Sequence, residues 1–114
     1  MTIAEFETYV ERLGYTVEPL DGADGPYVAI RDIAVTTGGL AGRTCDVAIR
    51  RDQSVPYIPP AAIHTRPAMV PMGTLNTQAS PIGPDWQYWS RRFDRPVTPL
   101  NLWTHILTIL SEVR

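Results

Sequence analysis

The sequence contains no lysine, a single cysteine and no long apolar run. All ten basic residues are arginine, and together with twelve acidic residues they give a formal net charge of −2. This charge offers no electrostatic basis for binding nucleic acid or an anionic membrane surface. The apolar runs fall far short of the roughly 20 residues that cross a bilayer, and the first residues lack the basic region of a signal peptide. We therefore expect a cytoplasmic protein without a membrane segment.

Metal and cofactor sites have little support in the sequence. With Cys45 as its only cysteine, the chain has no internal disulfide and no multi-cysteine zinc motif. The two histidines, His64 and His105, lie 41 positions apart, and neither has a cysteine close to it. A metal site would need further carboxylates that no motif supplies. We expect no metal and no cofactor.

Two stretches have the apolar period of an amphipathic helix. Residues 2–13 begin with Thr2 and Glu5 at the spacing of a capping box, in which each side chain bonds a backbone N–H of the first turn. Near the end of the chain, Thr98 suits an N-cap and Pro99 suits the first helical position. The predicted buried stripes are Ile3, Phe6, Val10 and Leu13 in the first helix, and Leu100, Trp103, Ile106 or Leu107, Leu110 and Val113 in the second.

The middle of the chain alternates like β-strands. Residues 15–20, 26–35 and 44–51 are three such runs joined by short turns, and residues 61–65 supply a short fourth strand. Short connections favour an antiparallel meander. Residues 65–84 lack periodicity and predict a long irregular loop. We therefore expect one α+β domain over 1–114: an N-terminal helix, a meander of about four strands, the loop and a C-terminal helix.

Two stretches of the sequence, at 55–60 and 85–93, resemble the ubiquitin-conjugating (UBC) family. In that family the third strand leads into a Tyr-Pro-x-x-Pro-Pro crossing, which "VPYIPP" at 55–60 matches except that Val55 replaces the tyrosine. A tryptophan-containing segment then precedes a helix, as "DWQYWSRRF" at 85–93 does here. The "WQYWSR" part is similar to the divergent bacterial conjugating-enzyme-like proteins encoded beside ubiquitin-like systems. The resemblance extends from the first helix to the last and implies a UBC-like fold.

Proline and aromatic side chains suggest a structural brace. Pro56, Pro59 and Pro60 fix their own φ and push the preceding residues toward extended backbone, which stiffens the crossing. Large aromatic surfaces are costly to leave in water. We therefore predict that the nearby aromatic residues cover the proline rings and are buried rather than serving as a ligand platform. These residues are Trp86, Tyr88 and Trp89.

The catalytic position of the family has no cysteine here. In active members the loop carries a His-Pro-Asn element and then the cysteine that forms a thioester, and the matching stretch, 74–83, offers only Asn76, Thr77 and Ser80. Ser80 is an alternative acyl acceptor only if the fold brings a base such as His64, with Asp85, close to it. Cys45 is the other nucleophile to consider. It shares a strand face with Val47 and Ile49, so we expect it to be buried and unreactive.

The resulting hypothesis is a non-catalytic, UBC-like interaction module of a bacterial ubiquitin-like pathway. Its partner would be a protein: a ubiquitin-like protein, an activating enzyme or an active conjugating enzyme. The predicted contact residues are Glu7 and Glu11 on the first helix and Arg91 and Arg92 near the loop. Absence of lysine would protect a chain held beside activated thioesters, although arginine-rich codon usage is the simpler explanation.

Two alternatives belong to other functional classes. The first is an active transferase that uses Cys45 or a partner's cysteine. The second is a single-stranded nucleic-acid binder that stacks bases on Trp86 and Trp89 beside Arg91 and Arg92. The acidic total charge argues against the second alternative.

Overall fold

Helices stand at both ends of a run of strands. The computed structural model describes residues 1–52, 60–93 and 98–114. These residues form α1 (Ile3–Arg12), β1 (Val17–Gly22), β2 (Gly25–Ala34), β3 (Thr44–Arg50), β4 (Ala62–Arg66), β5 (Thr77–Ser80), β6 (Gly83–Ser90) and α2 (Pro99–Ser111). All strand pairs are antiparallel, and the sheet order is β1-β2-β3-β4-β6-β5. The predicted α+β class with a helix at each end is confirmed.

Both predicted helix starts are present. The Thr2 hydroxyl accepts a hydrogen bond from the Glu5 backbone N–H at 3.2 Å, and the Thr98 hydroxyl accepts one from the Asn101 N–H at 3.1 Å. These bonds satisfy N–H groups that have no partner within the helix. The sequence alone was therefore enough to place the two N-termini.

Two predicted ends of the apolar stripes, Leu13 and Leu100, are wrong, whereas Ile3 is buried and Val113 packs against the main core. Leu13 is 49% exposed because it is the C-cap of α1, where the chain already leaves the helix. Leu100 is 55% exposed and lies seven residues before Leu107, so both point away from the sheet on one side of α2. Leu102 and Ile109 replace them in the buried face of α2.

The sheet has two distinct faces. The helix face packs against α1 and α2 and contains the main core. We call the other side the second face; it carries a smaller cluster around Tyr27, Ala29, Ala48 and Trp86. The residues that fill the main core from the helices and the sheet include Phe6, Val10, Val28, Val47, Ile49, Trp89, Trp103 and Ile106.

The sheet curls so that its two edge strands approach each other at one end. The N–H of Ala23, in the β1–β2 turn, donates to the carbonyl of Pro81, in the β5–β6 turn, at 2.8 Å. The hydrogen bond from the Arg31 N–H to the Thr16 carbonyl shows which residues of β1 exchange hydrogen bonds with β2. In this register Pro19 is not one of them, so its backbone nitrogen faces away from β2. Proline has no N–H, so this edge lacks a donor there.

The predicted four-stranded meander is too short. The structure adds β5 and β6 after β4, so the predicted loop at 65–84 is reduced to the segment from Pro67 to Asn76 and a tight turn. The pattern missed these strands because Thr77 and Gln87 are polar residues on the buried helix face. They conceal the apolar alternation that identifies a half-buried strand.

Candidate functional site

Residues of the predicted catalytic position lie at the two ends of β5. Asn76 immediately precedes the strand, and Ser80 is its last residue. Cys45 lies in β3 and belongs to the main core on the helix face. The structure therefore keeps the thiol apart from the loop that would need it for transfer chemistry.

The environment of Cys45 is unfavourable for a nucleophile. Its side chain is 2% exposed and packs with the apolar core. Burial, reinforced by the neighbouring Asp46 carboxylate, raises the pKa of the thiol to about 11. Since only the thiolate is nucleophilic, Cys45 is a structural residue at neutral pH.

Ser80 and His64, sixteen residues apart, meet on the second face. The Ser80 hydroxyl lies 2.8 Å from His64 Nδ1 and accepts a hydrogen bond from the Ile82 N–H at 3.1 Å. Both side chains have hydrogen-bond partners when the Ser80 hydroxyl donates to Nδ1 of a neutral His64 imidazole. The imidazole edge also contacts the rings of Tyr27 and Tyr88, with centroids 4.9 and 5.3 Å away.

This Ser–His pair is a poor catalytic dyad. Burial lowers the pKa of His64 to about 4, so the imidazole is a weak base near neutral pH. Among the described residues, Asp85 makes no hydrogen bond or ion pair with the His64 or Ser80 side chains. The pair instead links β4 to the end of β5, which is a structural role.

Gln87 is the important residue that the sequence analysis missed. It is fully buried in β6, and its side-chain oxygen accepts from the Met69 N–H at 3.0 Å. Its amide nitrogen donates to the Val70 carbonyl at 2.8 Å and lies 3.3 Å from the Thr77 hydroxyl. One side chain thus fixes both ends of the loop before β5. The available signal was its position two residues before Trp89, which places both on the same face of the strand.

The segment from Pro71 to Asn76, here called the β5 loop, accepts two short side-chain hydrogen bonds at its own backbone carbonyls. The Thr74 hydroxyl donates to the Pro71 carbonyl, and the Thr77 hydroxyl donates to the Thr74 carbonyl, each at 2.6 Å. Leu75 and Asn76 have φ values of 52° and 57°, in the left-handed region. Asparagine tolerates this region, whereas leucine adopts it at an energetic cost.

The β5 loop presents apolar side chains to solvent and borders a cleft. Met72 and Leu75 are both more than half exposed. Asn76 lines a polar cleft of about 400 Å³. The other residues around this cleft are Gly73, Thr77, Gln78, Tyr88 and Ser90.

The aromatic residues of the predicted brace lie on β6 and contact different parts of the protein. Trp89 is fully buried on the helix face, where its indole N–H donates to the Thr65 hydroxyl at 3.0 Å. Trp86 is buried on the second face beneath the Arg66 guanidinium, 4.5 Å from its ring centroid. Pro56 and Pro59 lie outside the described residues, and Pro60 is partly buried. Packing of these rings on the prolines stays a prediction.

Asp46 organises the charged part of the second face. Its carboxylate accepts a hydrogen bond from Arg66 Nε at 2.8 Å, and it lies 2.8 Å from Arg66 Nη2 and 3.4 Å from Arg31 Nε. It also accepts from the Asp32 N–H at 2.9 Å, where Asp32 has a φ of 57° beside the β2 bulge. This buried carboxylate therefore joins three strands and stabilises an unusual backbone conformation.

Two of the predicted partner-binding residues already have partners within the chain. Glu7 is only 12% exposed at its side chain and pairs with Arg51 Nε at 3.2 Å. Arg91 donates to the carbonyls of Ser90 and Leu75 at 2.7 and 2.9 Å. Glu11 and Arg92 are exposed. Charge on a helix or strand end is not enough to show that a side chain is free.

The described ranges contain no cluster of three or more histidine, cysteine, aspartate or glutamate residues suited to a metal ion. No helix in this part of the chain has the length and apolar character needed to cross a membrane. No protein-family model, curated protein or solved structure matches the chain.

Proposed function

We propose that the chain is a non-catalytic, UBC-like protein-binding module of a bacterial ubiquitin-like pathway. The observation that carries the proposal is the burial of Cys45, the only thiol in the sequence. Thioester transfer needs an accessible thiolate, and Cys45 is shielded by the core and has a raised pKa. A UBC-like chain without an accessible thiol could still bind proteins of the pathway, although it could not carry a thioester.

Further support comes from the order of elements and from the two sequence stretches. A first helix, an antiparallel run of strands and a final helix follow the order that the resemblance implies, whereas the stretch matched to the catalytic position contains strand β5. Strands β5 and β6 extend the sheet beyond the four strands expected. The UBC-like assignment is part of the proposal and rests on the sequence stretches together with this order.

The alternatives receive less support from the same residues. A transferase that uses Cys45 would have to expose a buried thiol. A nucleic-acid platform needs accessible aromatic faces, whereas Trp86 and Trp89 are buried. An acyl transfer to Ser80 would rely on His64, whose pKa is about 4.

A reconstitution experiment tests the proposal. Purified chain is mixed with an activating enzyme, ATP and a ubiquitin-like protein, and then examined by non-reducing electrophoresis and by analytical ultracentrifugation. We expect a non-covalent complex with a protein of the pathway and no adduct that a reductant removes. Cys45→Ser is the matched variant and should behave like the natural chain.

Two results would overturn the proposal. A reducible adduct that disappears in Cys45→Ser would show that the thiol becomes exposed and carries the ubiquitin-like protein. Failure to bind the activating enzyme, the ubiquitin-like protein and an active conjugating enzyme would remove the pathway assignment.

A further inference from the structure

The β5 loop combines exposed apolar side chains with several polar contacts to the rest of the protein. Its ends are fixed by Gln87, and the Leu75 carbonyl accepts from Arg91 Nη2 at 2.9 Å. The Met72 sulfur lies 3.8 Å from the Gln87 amide nitrogen, so its side chain is oriented although half of it faces solvent. A loop held by this many polar contacts presents its apolar side chains in one arrangement.

Leu75 is the least expected residue at its position. Its φ of 52° is a conformation that glycine and asparagine adopt readily and leucine does not. Its side chain is 53% exposed, so the leucine gains only part of the burial that would offset the backbone cost. Strained residues of this kind cluster where proteins bind ligands or partners.

The charges around the β5 loop indicate the chemistry of a partner. The segment from Pro67 to Asn76 contains no charged residue, and Arg91 and Arg92 follow at the end of β6. Arg91 contacts the loop directly, and Arg92 is exposed. In a chain with a net charge of −2, this region is locally basic. It therefore suits an acidic surface with an apolar centre.

We propose that the β5 loop docks an acidic segment of a partner protein that also carries apolar side chains. Those apolar side chains cover Met72 and Leu75, and the carboxylates of the segment lie beside Arg91 and Arg92. Burial of Met72 and Leu75 in the complex supplies most of the affinity. The exposed Arg92 speeds association and makes the association rate sensitive to salt. The inference rests on the proposed function in taking the chain as a protein-binding module, and it names the chemistry of the partner.

The first test uses a phage-displayed library of random 12-residue peptides selected against the natural chain. Enriched peptides should combine leucine-type residues with aspartate or glutamate. Their affinity, measured by calorimetry, should fall at least tenfold for Leu75→Asn and for Met72→Gln. Arg92→Gln should weaken binding a few-fold and reduce its salt dependence, whereas Arg12→Gln on α1 should leave it unchanged.

A second measurement separates a binding role from a structural one. Because asparagine suits a positive φ, Leu75→Asn should keep the melting temperature or raise it by about 2–4 °C while binding is lost. Leu100 is exposed to nearly the same extent, so Leu100→Asn is the matched control and should bind the peptides normally.

Several outcomes would overturn the inference. These are no enrichment, enrichment of basic peptides, equal binding by Leu75→Asn, or a melting temperature that falls by several degrees in that variant. Failure of the reconstitution with pathway proteins leaves the peptide affinities and melting temperatures intact, so the two proposals fail separately.

Discussion

Acidification should destabilise the protein through His64. The side chain is 2% exposed and lies between two tyrosine rings, and its burial lowers the pKa from 6.5 to about 4. Between these two pH values the unfolded chain binds a proton at this histidine and the native chain does not. Stability therefore falls as pH decreases from about 6.5 toward 4, and the contribution is fully present above 6.5.

The magnitude follows from the size of the pKa shift. The full shift corresponds to about 3 kcal/mol, and roughly 2 kcal/mol of it is lost between pH 7 and pH 5. For a chain of this size, that loss lowers the midpoint of urea unfolding by about 1 M. We expect His64 to make the largest contribution to the change over that interval.

Urea unfolding at pH 7 and pH 5, followed by tryptophan fluorescence, measures the effect. His64→Asn removes the titrating group but retains an acceptor for the Ser80 hydroxyl, so its midpoint should change much less with pH. His105 is partly exposed, and its ring centroid lies 5.5 Å from that of Phe93 in a T-shaped arrangement. Because it is the other histidine of the chain, His105→Asn is the matched control. This control should keep the pH dependence of the natural chain. Equal loss of stability in the natural chain and in His64→Asn would refute the reasoning.

Three further predictions concern single side chains. Cys45 should react with a thiol reagent at pH 8 about 100-fold more slowly in the native chain than in urea, since its pKa is about 11; similar rates in both conditions would show an accessible thiol. Gln87→Met should lower the free energy of unfolding by about 2–5 kcal/mol, because it leaves a buried N–H and a buried carbonyl without partners; a loss below about 1 kcal/mol would mean that water or a rearranged loop replaces the amide. Asp46→Asn should cost about 1–3 kcal/mol in urea unfolding, against about 0.2–1 kcal/mol for Glu18→Gln in the exposed pair with Arg31, and equal effects would contradict the organising role of Asp46.

The elements that sequence predicted well are those determined by nearby residues. Thr2 and Thr98 cap helices through bonds to residues three positions later, and such local bonds are visible as spacing. The exposure of Leu13 follows from where α1 ends, and that of Leu100 depends on which side of α2 packs against the sheet. Periodicity alone does not contain that information.

Strands β5 and β6 escaped prediction for a related reason. A polar residue at an inward position normally signals the absence of a half-buried strand, and Gln87 is such a residue. Its bonds to the loop, more than fifteen residues away in sequence, make it a buried residue. The contact of Ser80 with His64 likewise exists only because β6 pairs with both β4 and β5.

The bond between the Ala23 and Pro81 peptide groups has a consequence for behaviour at high concentration. Sheets of different molecules can pair with each other when an edge strand leaves a row of main-chain N–H and C=O groups without partners. In this protein Pro19 interrupts the row of donors along the edge strand β1. The Ala23–Pro81 hydrogen bond also joins the turns beside the two edge strands at one end of the sheet. Pairing of copies along these edges is therefore less favourable than along a continuous free edge.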